Sequence, residues 1–233
     1  MFNMDLDAGQ TWRNADAINT AMLRVYNYMM LAVLTSGVVA MGIASSVPMM
    51  QFLFTGVMKY IVMFAPLVAI FLITPALHAE PPRGIAVAML LGFAAIMGVS
   101  LATVFFVYTA GSIVMAFFST AILFGTMSIY GYFTKRSLES MGQFLFIGLI
   151  ALIIASIVNI FIGSSVLTMA ISAIAILVFL GLTAYDTQQI REMISEDGVG
   201  GAAEVIGALT LYLDFINIFV NLLQLFGVKV GDD

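Results

Sequence analysis

The sequence contains no cysteine, which excludes disulfides and thiolate metal sites, and it contains very few charged residues. Asp, Glu, Lys and Arg together make up 9% of the 233 residues, whereas a soluble domain carries about 25%. So few charges cannot cover a water-facing surface, and most of the chain must therefore be surrounded by lipid. Because the net charge is −5 and no Lys/Arg cluster is present, nucleic acid is not an expected partner.

Hydrophobic residues form 62% of the chain and occur in unbroken runs of about 20 residues. In lipid, backbone polar groups must be satisfied within a helix or a closed barrel, and barrel strands would alternate apolar and polar residues. The runs therefore predict an all-α, polytopic membrane protein with seven transmembrane helices. The predicted spans are Val25–Val47, Phe54–Leu77, Ile85–Val107, Ser112–Phe133, Phe144–Ile162, Val166–Gln188 and Glu204–Gly227.

The chain is predicted to form one bundle without a separate soluble domain. Its predicted divisions are a polar cytoplasmic N-terminal segment (1–24), a transmembrane domain (25–227) and a short C-terminal tail (228–233). The first run is too long for the core of a signal peptide, so it is interpreted as a retained span. Pro81 and Pro82 cannot continue a helix and separate the second span from the third.

Lysine and arginine near the span ends predict the orientation in the membrane. With the N-terminus inside, the cytoplasmic set is Arg13, Arg24, Arg83, Lys135, Arg136 and Arg191, and the external set is Lys59 and Lys229. This asymmetry favours a cytoplasmic N-terminus and an external C-terminus. We expect a multi-pass protein of the plasma membrane, which in bacteria is the inner membrane, with the lipid bilayer as its main partner.

The seventh span carries a polar stripe on an otherwise apolar helix. Its members recur every three or four residues: Thr210, Asp214, Asn217, Asn221 and Gln224. Such spacing places all five side chains in an arc of about 80°, which should face the bundle interior and not lipid. Asn217, Asn221 and Gln224 could have a purely structural role, as groups that hydrogen-bond to neighbouring helices. A carboxylate is a poor choice for that role alone, so Asp214 is the stronger functional candidate.

The sixth span contributes a second carboxylate, Asp186, on one face with Thr183 and Thr187. Asp186 could simply lie in water at the membrane surface, and the sequence alone does not bring it to the depth of Asp214. If the two do meet, they cannot both be ionised freely in a low dielectric, so one proton can be shared. A hard cation such as Ca²⁺ could replace that proton. Two carboxylates would hold Ca²⁺ only weakly, as a permeant ion and not as a tightly bound cofactor.

Three further residues are candidates for a cytoplasmic mouth. His78 is the only histidine and lies close to Glu80, which suggests a pH sensor, although a solvated loop histidine explains it as well. Glu204 could be an entrance ligand, but a carboxylate is favoured at any helix N-terminus.

Two segments resemble a known family. Ala184–Gln188 closes the sixth span, while Leu211–Phe219 and the following Asn221–Gly227 form the seventh. Together they resemble the Bax inhibitor-1 family, and the likeness extends over essentially the whole chain. It implies a seven-helix bundle in which the other six helices surround the last.

The resemblance also implies a function. Bacterial members are described as pH-sensitive calcium leak channels in which two aspartates, matching Asp186 and Asp214, form a hydrogen-bonded pair that opens and closes the path. Some bacterial members instead bind and restrain a membrane-anchored protease, and eukaryotic members suppress cell death. This chain lacks the arginine that at least one member carries at the end of span two, since none precedes Arg83 there. It also has Gln224 where members can carry arginine.

Three functions follow as hypotheses: a pH-sensitive calcium leak channel, a regulator of a membrane-anchored protease or stress factor, and an intramembrane aspartyl protease. The protease is the remotest, because such enzymes need Gly-x-Gly-Asp where this chain has Leu211–Asp214. Their Pro-Ala-Leu element lies on a late helix, whereas Pro75–Leu77 lies in span two. We therefore expect no enzymatic activity and no catalytic residues.

Overall fold

The computed structural model describes the backbone of residues 2–197 and 201–231 and the side chains of residues 16–195 and 201–231. Within these residues the chain forms nine helices: α1 Phe2–Ala44, α2 Val47–Phe54, α3 Met58–His78, α4 Arg83–Leu101, α5 Val104–Val107, α6 Ala110–Phe133, α7 Glu139–Ile162, α8 Ser165–Asp197 and α9 Gly201–Phe226. Seven stretches are long and apolar enough to cross a membrane, with α4 and α5 together forming the third. The chain is an all-α polytopic membrane protein, as predicted.

The helix ends fall where the backbone chemistry requires them. Glu80 has a positive φ of 51° and precedes Pro81 and Pro82, so α3 and α4 are separate helices. Gly56, with a φ of 58°, makes the turn between α2 and α3. The predicted second span began too early because this turn follows Phe54. The predicted gap between the sixth and seventh spans includes residues 198–200, which lie outside the described residues.

Two spans extend further than the sequence suggested. Helix α1 continues N-terminally beyond the predicted start at Val25, and Ala21 and Met22 are buried against the bundle and continue the apolar face of the span. The sixth was predicted to end at Gln188, yet α8 continues without a break to Asp197. Ile190 and Ile194 are buried and carry the helical packing pattern beyond Gln188.

Helix α9 occupies the centre of the bundle. It packs against α1, α3, α4, α6 and α8, and 67% of its most apolar window is buried, against 6% for α7. Tyr212 packs edge-on against Phe93 of α4, and Phe215 packs against Phe117 and Phe124 of α6. Lipid gives no hydrophobic drive between helices, so this close aromatic packing supplies much of the association.

Helix α7 departs from the expected ring of six helices around α9. It packs against α8, and most of its surface faces the surroundings of the bundle. Helix α3 packs against α2, α4 and α9. A cleft therefore lies between α3 and α7, and its back wall is formed by α8 and α9.

The two ends of the bundle are distinguished by charge. We call the end that carries Arg24, Arg83, Arg136 and Arg191 the arginine end. At the other end the C-terminal residues are tied to the connection between α5 and α6. Thr109 N donates to Val228 O, and Val230 N donates to Val107 O, both at 3.0 Å.

Candidate functional site

The structure brings together the two aspartates predicted from the sequence. Asp186 on α8 and Asp214 on α9 are neighbours and line the same cavity. Because α8 continues beyond Gln188, Asp186 lies well inside its helix, and this removes the difference in depth that the sequence suggested. Two ionised carboxylates side by side in a low dielectric repel each other, and a shared proton or a bound cation relieves that repulsion.

Asp214 is the more deeply buried member of the pair. Its side chain is only 4% exposed, and its Oδ2 has no hydrogen-bond partner among the described residues. The Thr183 hydroxyl lies within hydrogen-bonding reach of Asp214 and donates to the carbonyl of Phe179 at 2.8 Å. A buried carboxylate oxygen without a partner is costly in a low dielectric, so it marks a place where a proton or cation can bind.

The pair faces a cavity of about 830 Å³ in the cleft between α3 and α7. Thr210 and Asn217 of the polar stripe also line it, so three of the five stripe residues meet there. The oxygens of these side chains are the hard ligands that Ca²⁺ accepts. Among the described residues no group of three or more His, Cys, Asp or Glu could hold a metal ion, so the donor set suits weak binding only.

The rest of the stripe continues toward the end opposite the arginine end. Asn217 donates to the Leu213 carbonyl, and Asn221 donates to the Asn217 carbonyl, at 2.8 and 2.9 Å. Gln224 accepts a hydrogen bond of 2.8 Å from Ser172 and lines a separate cavity of about 420 Å³. These amides satisfy backbone and side-chain partners while extending a polar surface along α9.

Thr187 does not belong to the aspartate cavity. Its hydroxyl lies 3.0 Å from the hydroxyl of Ser128 on α6, which in turn lies 2.6 Å from the hydroxyl of Tyr26 on α1. Thr187 points to this side because it projects from the face of α8 that packs on α6. The prediction that it lines the same surface as Asp186 is therefore wrong, and its role is to join α1, α6 and α8.

Glu204 is not an open mouth ligand either, because it is fully buried between two arginines. Arg24 Nη1 lies 3.0 Å from Glu204 Oε1, and Arg83 Nη2 lies 3.3 Å from the same carboxylate. The arginine side chains are 38% and 44% exposed, whereas that of Glu204 is 0% exposed. This arginine–glutamate cluster ties α1, α4 and α9 together. Sequence reasoning missed it because the pairs span 180 and 121 residues.

His78 and Glu80 lie apart from the aspartate pair. Both are exposed, and they line a cavity of about 540 Å³ at the arginine end together with Arg83. His78 Nδ1 lies 2.8 Å from the carbonyl of Thr74 in its own helix. The structure therefore places them at one end of the bundle but gives them no contact with Asp186 or Asp214.

Gln188 was quoted from the sequence only as part of a motif, but it has a defined structural role. Its Oε1 accepts from Leu138 N at 2.8 Å, and its Nε2 donates to Arg136 O at 3.0 Å. One side chain thus satisfies two backbone groups of the connection between α6 and α7. The sequence signal was a glutamine near the end of a long apolar run, and the structure shows that this glutamine is buried.

Comparison with known proteins places the chain in a family. The family described as "Inhibitor of apoptosis-promoting Bax1" matches residues 18–231. The chain is 38% identical over 215 residues to the inner membrane protein YbhL of Escherichia coli, covering 90% of this chain and 92% of that protein. The chain belongs to the Bax inhibitor-1 family. An uncharacterized protein of Rickettsia prowazekii, RP147, is 42% identical over 230 residues, with 91% of each chain covered.

Membership in the Bax inhibitor-1 family agrees with the predicted resemblance and with the fold. A third relative, an uncharacterized protein of Caulobacter vibrioides, is 37% identical and covers 97% of this chain. The family match extends from residue 18 to residue 231, so both Asp186 and Asp214 lie within it. As a Bax inhibitor-1 family member, the chain is a multi-pass membrane protein, and its relative YbhL is an inner membrane protein.

Proposed function

We propose that this protein is a pH-sensitive leak channel for Ca²⁺ or a similar cation in the bacterial inner membrane, with Asp186 and Asp214 as its gate. The observation that carries the proposal is the buried carboxyl pair with an unpartnered oxygen at a cavity of about 830 Å³. Charged groups inside a membrane protein are costly and mark ion or proton pathways. The protein is not an enzyme in this proposal, and Ca²⁺ is its permeant ion and not a cofactor.

The two ends of the path differ in the structure. Toward the end opposite the arginine end, the stripe from Asn217 to Gln224 provides polar groups along α9. Toward the arginine end, the cluster of Arg24, Arg83 and Glu204 fills the space between α1, α4 and α9 with paired charges. In the proposed mechanism this arrangement is a closed state, with the arginine end and the N-terminus in the cytoplasm.

Protons and Ca²⁺ compete for the same carboxyl oxygens. With one proton shared, the pair carries a single negative charge and holds α8 and α9 together through a hydrogen bond. Loss of that proton leaves two like charges that repel each other and attract a divalent cation. Raising the pH at fixed Ca²⁺ therefore increases cation occupancy of the pair.

The test is Ca²⁺ entry into liposomes that hold a trapped indicator, measured over a pH series around neutrality. The wild type should pass Ca²⁺ in a pH-dependent way, and Asp214→Asn should lose the pH dependence because the pair can no longer share a titrating proton. Glu192→Gln is the matched control, since Glu192 is an exposed carboxylate of α8 that does not line the cavity. It should keep the wild-type profile.

Two outcomes would overturn the proposal. An unchanged pH profile in Asp214→Asn would show that the pair is not the gate. Ca²⁺ entry no faster than in empty liposomes, for a protein that is correctly folded, would show that the stripe is structural. The search would then turn to a membrane-anchored protease or another protein partner that this chain regulates.

A further inference from the structure

The lining of the aspartate cavity reaches the exposed, apolar outer faces of two membrane-spanning helices, α3 and α7. Its walls come from α3 and α7, which pack elsewhere and leave the cleft between them uncovered. Leu67 of α3 is 53% exposed, and Phe146 and Ile153 of α7 are 59% and 52% exposed. These side chains lie where α3 and α7 would face the hydrocarbon of the bilayer, so the cavity adjoins the part of the surface that lipid would cover.

The cavity combines an apolar, partly aromatic lining with two carboxyl groups. Most of its lining is apolar and includes three aromatic side chains, Phe146, Phe179 and Tyr185. At its inner wall stand the carboxyls of Asp186 and Asp214, and no lysine, arginine or histidine is among the described residues that line it. Aromatic faces and carboxylates both attract cations. An apolar wall favours organic cations over small hydrated ions, because it offers the hydrated ions no polar partner.

We propose that this cavity binds lipophilic organic cations that enter from the bilayer. The charge of such a cation lies at Asp186 and Asp214, and its apolar groups pack against Phe146 and Phe179. The inference deepens the proposed function and rests on it for the role of the carboxyl pair as a cation site. Such a cation would occupy the place of Ca²⁺ and would therefore act as a blocker supplied by the membrane.

Charge complementarity decides between this occupant and a phospholipid. An acyl chain would fit the apolar walls, but a phosphate group would meet two carboxyls with no basic side chain among the lining residues described. The unpartnered Oδ2 of Asp214 also needs a positive group or a proton, which an acyl chain does not supply. The volume of about 830 Å³ lies in the usual range for drug-sized ligands.

The experiment compares two ions of nearly the same size and shape but opposite charge, tetraphenylphosphonium and tetraphenylborate. Binding is measured by equilibrium dialysis against the protein in nanodiscs, after subtracting binding to empty nanodiscs of the same lipid. Tetraphenylphosphonium should bind the wild type, and tetraphenylborate should bind about a hundredfold more weakly or not at all. An acyl-chain site would accept both ions alike.

Variants separate the charge from the apolar walls. Replacing both carboxyls, Asp186→Asn with Asp214→Asn, should weaken tetraphenylphosphonium binding at least about tenfold. Phe179→Leu keeps the wall apolar but removes the aromatic face, and it should weaken binding about threefold to tenfold. Phe161→Leu is the control on α7, because Phe161 is 85% exposed and lies outside the cavity lining. It should bind as the wild type does.

Ca²⁺ entry is measured in the same preparations. Tetraphenylphosphonium should slow it, whereas tetraphenylborate should not. Equal binding of the two ions, or no binding of either, overturns the lipophilic-cation site even if Ca²⁺ entry is intact. Absence of Ca²⁺ entry from the start overturns the proposed channel, and it does so whether or not tetraphenylphosphonium binds.

Discussion

The arginine–glutamate cluster gives a sharp test of how the bundle is held at one end. Glu204 is fully buried, and its charge is compensated by Arg24 at 3.0 Å and Arg83 at 3.3 Å. Replacing either arginine by methionine keeps much of the side-chain volume and removes one cation. Replacing both leaves a buried carboxylate with no cation beside it among the described residues.

The two situations differ in cost. Each single variant loses one charge-assisted hydrogen bond, worth about 1.5–3 kcal/mol when buried. Since Arg24 and Arg83 are 38% and 44% exposed, solvent screening lowers this to about 1 kcal/mol each. The double variant leaves Glu204 unpaired, which costs about 3–5 kcal/mol. The double variant should therefore lose more unfolding free energy than the two single variants lose together.

The assay is equilibrium unfolding in mixed micelles at neutral pH, followed by helix content. Adding Glu204→Met to the double variant should recover most of the lost stability, because apolar packing then replaces a buried unpaired charge. A double variant whose loss merely equals the sum of the single losses would refute the reasoning. A triple variant that is no more stable than the double variant would also refute it, because the unpaired buried charge of Glu204 would then not be the source of the lost stability.

Two further predictions concern the contacts of α8. Gly131→Ala should destabilise the protein by about 1–3 kcal/mol in the same unfolding assay, because a Cβ there would overlap the Ala184 carbonyl. Gly125→Ala on the same helix is the control: its Cβ meets nothing within 4 Å, so this variant should be neutral or mildly stabilising. Gln188→Leu should cost about 1–3 kcal/mol by leaving Leu138 N without its acceptor, and faster hydrogen exchange at the Leu138 amide would confirm the cause.

Much of the fold was predictable, because the lipid bilayer imposes strong constraints on the composition of the segments that cross it. With 9% charged residues and long apolar runs, only helices could satisfy the backbone in lipid. The break at Pro81 and Pro82 was placed correctly, since α4 begins at Arg83, and the fourth span was correctly predicted to end at Phe133, the last residue of α6. The start of the first span was misplaced because Arg24 looked like the end of a polar segment, when it is a partner of α9.

The site was predictable in part. The stripe on α9 identified Asp214, Asn217 and Thr210 through helical periodicity alone, and all three line the cavity. The contact between Asp186 and Asp214 was left open, because it depends on how far α8 extends and how α8 and α9 cross. Thr187 was assigned to the wrong surface for the same reason. Residues on one helix face share a direction only within a broad arc. Thr187 lies at the edge of that arc nearest α6, so its side chain contacts α6 and not the cavity.

The central position of α9 follows from the distribution of its polar groups. Glu204 meets cations on α1 and α4, and Asp214 meets a carboxyl on α8. Tyr212 and Phe215 pack on α4 and α6 on the remaining sides. A helix with polar groups on several faces cannot turn any of those faces to lipid without leaving them unsatisfied. Enclosure by other helices is therefore required, and the cleft between α3 and α7, beside Asp214, is where that enclosure is incomplete. In the proposals made above, this cavity is where an ion or a ligand reaches the centre of the protein.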